Sequence, residues 1–288
     1  MKIVSFGPKG QEKPGVIAGD EVIDLTAADP SLPATVRAIL AEDRLDDVSR
    51  LAAGSADVPK GARHPVASVR LGPPVTDPSK IICLGLNYKD HAEEQDRKVP
   101  ESPLLFGKFS NVLAGDGDAM PYPRLVEQLD YEIELAFIIG RRARHVDVAD
   151  AMSHVAGYSA FMDITARDFQ RKERQWLRAK SVDGSGPFGP WLVTADDVPD
   201  PHDLDISLDV NGETLQSSNT GHMFFNVDYL VHHISQTMTL EPGDVVATGT
   251  PAGVGVFRFP PRFLEPGDEL VGTISGLGTL RCTIAPQD

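Results

Sequence analysis

A β-rich α+β fold is what this sequence predicts, and three observations carry the prediction. Short apolar segments, alternating or continuous, recur along most of the chain between Gly, Pro and Asn-Gly punctuation. Segments with helical spacing are few and lie between those strands. A stretch with four prolines, Gly61 to Pro78, separates a small N-terminal part from a larger remainder.

Taken in order, MKIVSFG and PGVIAGDEVIDL alternate like antiparallel strands about a Gly19-Asp20 turn. Ala34 to Ala53 then carries Val36, Ile39, Leu40, Leu45 and Val48 at spacings that share one helical face. Residues 1–75 are therefore expected to form a small β-containing domain and residues 78–288 the main one, with 61–78 as a linker. Lys80 to Leu86 is a short apolar strand that ends at Asn87-Tyr88-Lys89-Asp90-His91-Ala92-Glu93-Glu94, where polar side chains are placed to form a site. Residues 95–103 are charged and lack apolar period, so they form a loop that is either a lid or a plain surface connection. Leu129 to Gly140 reads as a buried strand, a helix begins near Asp147, and the strand Gly157 to Met162 delivers Asp163 at its end. Thr165 to Arg174 is polar and helix-compatible. Beyond it, LDISLDV and GETLQS flank Asn211-Gly212, a hairpin signal because both turn positions must tolerate positive φ. A helix follows over Asn226 to Thr237, and two Glu-Pro-Gly-Asp turns, at Glu241 and Glu265, each launch an apolar strand.

The 288 residues, 41% hydrophobic, suffice for a substantial core. A formal charge of −15 argues against a nucleic acid or an anionic membrane surface as partner. No run of 18 apolar residues occurs and no apolar signal region follows Met1, so a cytoplasmic protein is expected. Cys83 and Cys282 sit in separate apolar runs and read as reduced core residues.

The chemistry centres on Leu129–Gly140. Alternation puts Glu132 and Glu134 on one face of that strand and Tyr131, Ile133, Leu135 and Phe137 on the other. Two adjacent buried carboxylates need a shared proton, a basic neighbour or a cation, whereas an edge strand can turn them to water. Asp163 adds a third acid. An all-oxygen set without His or Cys suits Mg²⁺ or Mn²⁺ before Ca²⁺ and argues against a structural zinc. His91 and Glu94, at i and i+3, form either an oriented general base or a solvated first turn. Lys180 is either a stabiliser of developing negative charge or a surface lysine. Gln170, three residues after Arg167 and seven after Asp163, shares a helical face with both. The loop Thr248 to Gly255 lacks the order of a Walker or dinucleotide loop; its glycines either offer N–H groups to a small carboxylate or make a tight turn.

Together the segments N-Y-K-D-H-A-E-E, F-G-K, D-Y-E-I-E-L, G-Y-S-A-F-M-D-I-T-A-R-D-F-Q, A-K-S-V-D-G-S-G-P-F-G-P and G-T-P-A-G-V-G, in this order, resemble the fumarylacetoacetate hydrolase family over about residues 78–288. The resemblance implies a mixed β-sandwich or β-roll catalytic domain, usually a homodimer, with Mg²⁺ or Mn²⁺ on Glu132, Glu134 and Asp163. It implies a water-activating pair at His91 and Glu94 on a segment that folds over the ligand, and substrate contacts at Lys180, Gln170 and Thr250. Arg167, Lys108 and Tyr88 are further expected substrate contacts, with Arg97, Lys98 and Arg171 as candidates for the substrate tail. The expected reaction is hydrolysis of the C3–C4 bond of a 2,4-dioxo acid to pyruvate and a second acid, the pyruvate enolate being stabilised by the ion and Lys180. The alternative is decarboxylation of oxaloacetate or isomerisation of a keto acid through the same enolate. A catalytically silent metal-stabilised scaffold is the reading from outside enzymology.

Overall fold

The run Ile133–Ile139 is apolar on both sides of Glu134, the pattern of a strand covered on both faces. In the computed structural model, which describes residues 1–287, it lies in the interior of a twelve-stranded mixed sheet. Val155–Met162 and Val245–Ala247 flank it, both antiparallel. An edge strand turning its acids to water is thereby excluded.

Across that sheet the strands run Arg63–Pro65, Glu21–Asp24, Lys13–Ala18, Lys2–Phe6, Gly186–Thr194, Val155–Met162, Ile133–Ile139, Val245–Ala247, Ile81–Gly85 and Leu104–Lys108. The pair Val245–Ala247 and Ile81–Gly85 is parallel, which brings the C-terminal ends of both strands, and the loops after them, to one side. A second, five-stranded sheet contains Glu213–Asn219, Asp205–Val210, Glu269–Ile274, Gly278–Ala285 and Ala119–Pro121. The two sheets sandwich the main core: Ile133, Leu135, Phe137 and Ile139 meet Ile206, Leu208, Leu270 and Ile274 there. Ala136 and Ile138 point the other way, into a layer shared with Ile3, Ile23, Ile39 and Val48. Glu134 belongs to this even-numbered row, as the strand alternation requires. The fold is α+β and strand-rich, in agreement with the sequence.

Several elements differ from expectation. The single helix expected over 34–53 is two, Val36–Ala41 and Leu45–Ala53, because Asp43 adopts φ 54° between them. Residues 61–78 are not a plain linker: Arg63–Pro65 pairs with Glu21–Asp24, and Leu71–Gly72 with Lys2–Phe6. Proline limits such strands to short edge pairings without forbidding them. Lys2–Phe6 in turn pairs with Gly186–Thr194, so the N-terminal strands extend the main sheet. The helix from Asp147 is one turn, Val148–Ala151, followed by a 3₁₀ turn. Leu129–Gly140 is broken: Leu129–Asp130 pairs with Thr165–Ala166, and the long strand starts only at Ile133. Tyr131 and Glu132 form the step between the two ladders. The Asn211-Gly212 hairpin forms as expected, with φ 53° and 80° at its two turn positions.

Gly157 is required by the close approach of Val155–Met162 to its neighbour, since a Cβ there would lie 2.1 Å from the Val193 carbonyl oxygen. Gly157→Ala is expected to cost roughly 1–3 kcal/mol, read as a lower denaturant midpoint with an unchanged slope.

Candidate metal centre and acid–base pair

The register Ile133↔Met162 sets Asp163 beside Glu132, and the Asp163 N–H donates to the Glu132 carbonyl at 2.9 Å. One carboxylate oxygen from each of Glu132, Glu134 and Asp163 then lies within 4.8 Å of the others, all three residues being buried. The three acids singled out in the sequence are thus brought together by two adjacent strands.

Basic groups neutralise two of them. Lys180 Nζ donates to Glu132 Oε2 at 2.6 Å and to Asp163 Oδ2 at 2.7 Å. Arg167 Nη2 donates to Glu132 Oε1 at 2.6 Å, and its Nε to Asp130 Oδ2 at 2.7 Å. Lys108 Nζ donates to Asp163 Oδ1 at 2.7 Å. Burial alone would raise Glu132, but Lys180 and Arg167 outweigh it and hold this carboxyl well below the usual range. Burial would likewise lower the Lys180 ammonium, but Asp163 and Glu132 carry it above its ordinary value.

Glu134 goes the other way. Burial, then Asp163 and Glu132, push its carboxyl well above the usual range. Its Oε2 accepts the Gly249 N–H at 2.8 Å, while its buried Oε1 has no partner. Four acids, counting Asp130, face three cations here, which leaves one negative charge. A buried, orphaned oxygen beside two further carboxylates takes either a proton or a cation. The oxygen-only donor set therefore fits a hard divalent ion held by Glu132, Glu134 and Asp163.

His91 and Glu94 lie on the short helix Lys89–Glu94. His91 is 7% exposed, so a solvated turn is excluded. Its Nδ1 is bonded to Glu94 Oε1 at 2.6 Å, and Glu94 Oε2 accepts the Gly253 N–H at 2.9 Å. This leaves Nε2 as the ring nitrogen available for chemistry. A cavity of about 360 Å³ opens between His91 and the carboxylates, and Lys180, Gln170, Thr250 and Arg167 also line it. Its far wall is apolar, with Leu104, Phe106, Trp176 and Phe257, and Arg97 and Arg171 contribute to the lining.

Three expectations fail on inspection of the donors. Lys108 does not reach the cavity, because its ammonium is spent on Asp163, the Ile164 carbonyl at 3.4 Å and the Ser185 carbonyl at 3.0 Å. Tyr88 is fully buried and pairs through its backbone with Met223, outside the cavity lining. The Gly-rich loop does bind carboxylates, but the protein's own: Gly249, Gly253 and Gly255 donate to Glu134, Glu94 and Asp130. Gln170 keeps its place, since its Oε1 is taken by Arg167 Nη1 at 3.0 Å and its amide N–H₂ is left for a ligand. Thr250 Oγ1 donates to the Ile133 carbonyl at 2.9 Å and accepts from Gln216 Nε2 at 2.8 Å.

Two residues escaped sequence reasoning. Asp130 joins Arg167 to the Gly255 and Val256 N–H groups at 2.7 and 3.1 Å; its signal was its place two residues before Glu132. Gln216, on the second sheet, carried no signal at all.

The sequence profile described as fumarylacetoacetate (FAA) hydrolase C-terminal matches residues 80–285. Oxaloacetate tautomerase Fahd2a, mitochondrial, from Rattus norvegicus is 43% identical over 287 residues, spanning 97% of this chain and 90% of its own. Among solved structures, fumarylacetoacetate hydrolase from Exiguobacterium antarcticum superposes with a TM-score of 0.85 at 37% identity, covering 100% of both chains. Maleylpyruvate hydrolase from Sphingobium sp. SYK-6, in complex with manganese(II) and pyruvate, superposes with a TM-score of 0.84 at 30% identity, also covering 100% of both chains.

Glu134→Gln removes the one carboxylate without a counter-ion and keeps its shape. The variant is expected to stay folded, by circular dichroism, and to lose Mn²⁺ binding measured by titration calorimetry. In the wild type, Mn²⁺ affinity should rise with pH, because the proton favoured on Glu134 must leave before the ion binds.

Proposed function

This chain belongs to the fumarylacetoacetate hydrolase family, and from that premise we propose that it interconverts the enol and keto forms of an oxaloacetate-type 2-oxo acid with the help of a divalent ion. The observation that carries the reading is the unpartnered Glu134 oxygen, in a three-carboxylate cluster that shares one cavity with the His91–Glu94 pair. The sequence put hydrolysis first and oxaloacetate decarboxylation or keto-acid isomerisation second. The rat relative, matched along nearly its whole length, reverses that order. Mg²⁺ or Mn²⁺ as the ion and a homodimeric assembly belong to the same proposal. The cytoplasmic compartment expected from the sequence has no counterpart in the rat relative, whose name places it in mitochondria. Among the described residues, no helix is long and apolar enough to cross a membrane.

An ion held by Glu132, Glu134 and Asp163 would act as a Lewis acid toward the oxygens of a 2-oxo acid and lower the energy of its enolate. The remaining steps fall to the chain's own groups. Gln170 donates its free amide N–H to the substrate carboxylate, while Thr250, whose hydroxyl is already given to the Ile133 carbonyl, only lines the cavity beside it. Lys180 has one N–H beyond those given to Glu132 and Asp163, and it donates this to the enolate oxygen. His91 Nε2 takes the enol O–H proton, and Glu94 steadies the imidazolium through Nδ1. Return of a proton from Nε2 to C3 completes the ketone, with no atom gained or lost. Phe106, Trp176 and Phe257 line the cavity beside that proton with apolar surface.

Hydrolysis of a 2,4-dioxo acid is the second reading. His91 oriented by Glu94 is also the arrangement that activates a water, and the Sphingobium neighbour is a hydrolase holding pyruvate.

With Mg²⁺, the protein is expected to speed the decay of enol-oxaloacetate ultraviolet absorbance without releasing pyruvate, and chelation should stop it. His91→Ala should slow this decay by about 10²–10⁴-fold. Buffer-rate enol decay together with pyruvate release from a panel of 2,4-dioxo acids would replace the first reading by the second. Lys180→Met separates the ion from the charge: Mn²⁺ affinity should hold or rise, because a competing cation is gone, while the rate falls by about 10²–10³-fold.

A further inference from the structure

The helix that carries His91 and Glu94 has only six residues, Lys89–Glu94. A helix that short has little stability of its own, so its orientation depends on what holds it. Asn87 fixes the chain entering it: Nδ2 donates to the Phe225 and Thr248 carbonyls at 3.1 and 2.8 Å, and Oδ1 accepts the Phe225 N–H at 2.9 Å. At the far end, Glu94 Oε2 is held by the Gly253 N–H, and Gly253 itself rests on the strand Glu213–Asn219. A Cβ at Gly253 would lie 2.2 Å from the Leu215 carbonyl oxygen.

Between these two anchors stands a third contact that neither the metal cluster nor the acid–base pair uses. Asp90 Oδ1 accepts the His91 backbone N–H at 2.7 Å. Asp90 Oδ2 accepts the Ser218 hydroxyl at 2.5 Å and lies 3.4 Å from His222 Nδ1, which is itself 3.2 Å from Ser218 Oγ. Ser218 lies on the same strand as Leu215. The turn is therefore fastened to one strand of the second sheet from both ends, with His91 in between.

We infer that the Asp90–Ser218 contact, completed by His222, is a clasp that aims the His91 ring into the cavity, which makes Asp90 and Ser218 positioning residues. This inference rests on the acid–base role proposed for His91. Loss of the clasp leaves the Glu132, Glu134 and Asp163 carboxylates, Lys180 and Gln170 in place and frees only the roll of one short helix. Misaiming a proton-transfer group by about 1 Å is enough to lower a rate by one to two orders of magnitude.

The test compares Ser218→Ala/His222→Ala, which removes both partners of Asp90, with Ser218→Thr, which keeps the hydroxyl. The double variant is expected to lose kcat about tenfold for enol-oxaloacetate, with KM and Mn²⁺ affinity within about twofold of wild type. Ser218→Thr should stay within about twofold of wild type in kcat. Amide hydrogen exchange over residues 89–94 should rise several-fold in the double variant only. Wild-type kcat in the double variant, or a loss matched by weaker Mn²⁺ binding or not rescued by threonine, overturns the clasp. His91→Ala is assayed alongside: if it retains full activity, the acid–base reading falls. Hydrogen exchange still decides whether Ser218 and His222 hold the helix, since it needs no turnover.

Discussion

Burying four carboxylates within one small volume is the constraint on which the rest of this structure depends. Each ion taken out of water costs several kcal/mol unless it is paired and hydrogen-bonded. Lys108, Arg167 and Lys180 answer that cost from three separate elements: the end of the strand Leu104–Lys108, the start of the helix Arg167–Lys172 and the end of the helix Leu177–Lys180. Charged groups sit at element ends because there a side chain can reach sideways into the site while its backbone still satisfies the local ladder or helix. The balance stops one charge short, and the shortfall falls on Glu134.

The second sheet contributes no acid or base to the centre, yet it holds the parts in place. Past Ala136↔Ala247 the ladder between Ile133–Ile139 and Val245–Ala247 continues only through the Thr248 N–H, which donates to the Leu135 carbonyl at 2.9 Å, and side chains take over its hydrogen bonds from there. Gln216 Oε1 accepts the Ile133 N–H at 3.0 Å, between the two glutamates, while its Nε2 donates to Thr250 Oγ1 and the Pro251 carbonyl at 2.8 and 2.9 Å. A fully bonded, buried amide of this kind sets one geometry, because any shift would leave a polar group unpaired. Gln216 and Ser218 thus tie the strand that carries Glu134, the Gly-rich loop and the His91 helix to a single strand of the second sheet.

Some readings of individual residues failed for a common reason. Lys108 and the glycine N–H groups are donors of the right kind near the right motifs, the first expected at the substrate and the second open between a small carboxylate and a tight turn. Each is occupied by an acceptor far away in sequence: Asp163 for Lys108, Glu134 and Glu94 for the glycines. Tyr88 failed for a related reason, since its position beside His91 in sequence says nothing of the layer into which its ring is packed. The broken strand at Tyr131-Glu132 was equally hidden. An apolar run does not reveal where the neighbouring ladders begin and end.

What the sequence by itself determined is what depends on local period. Two residues apart on a strand places Glu132 and Glu134 on one face; three apart on a helix places His91 against Glu94; Asn-Gly closes the hairpin at 211–212. The tertiary structure alone decided which donors are already spent, that Glu134 keeps an oxygen without a partner, and that His91 is fastened from the second sheet. Periodicity is a property of neighbours along the chain, whereas charge compensation joins groups such as Lys108 and Asp163, which lie 55 residues apart and meet only when the sheets close.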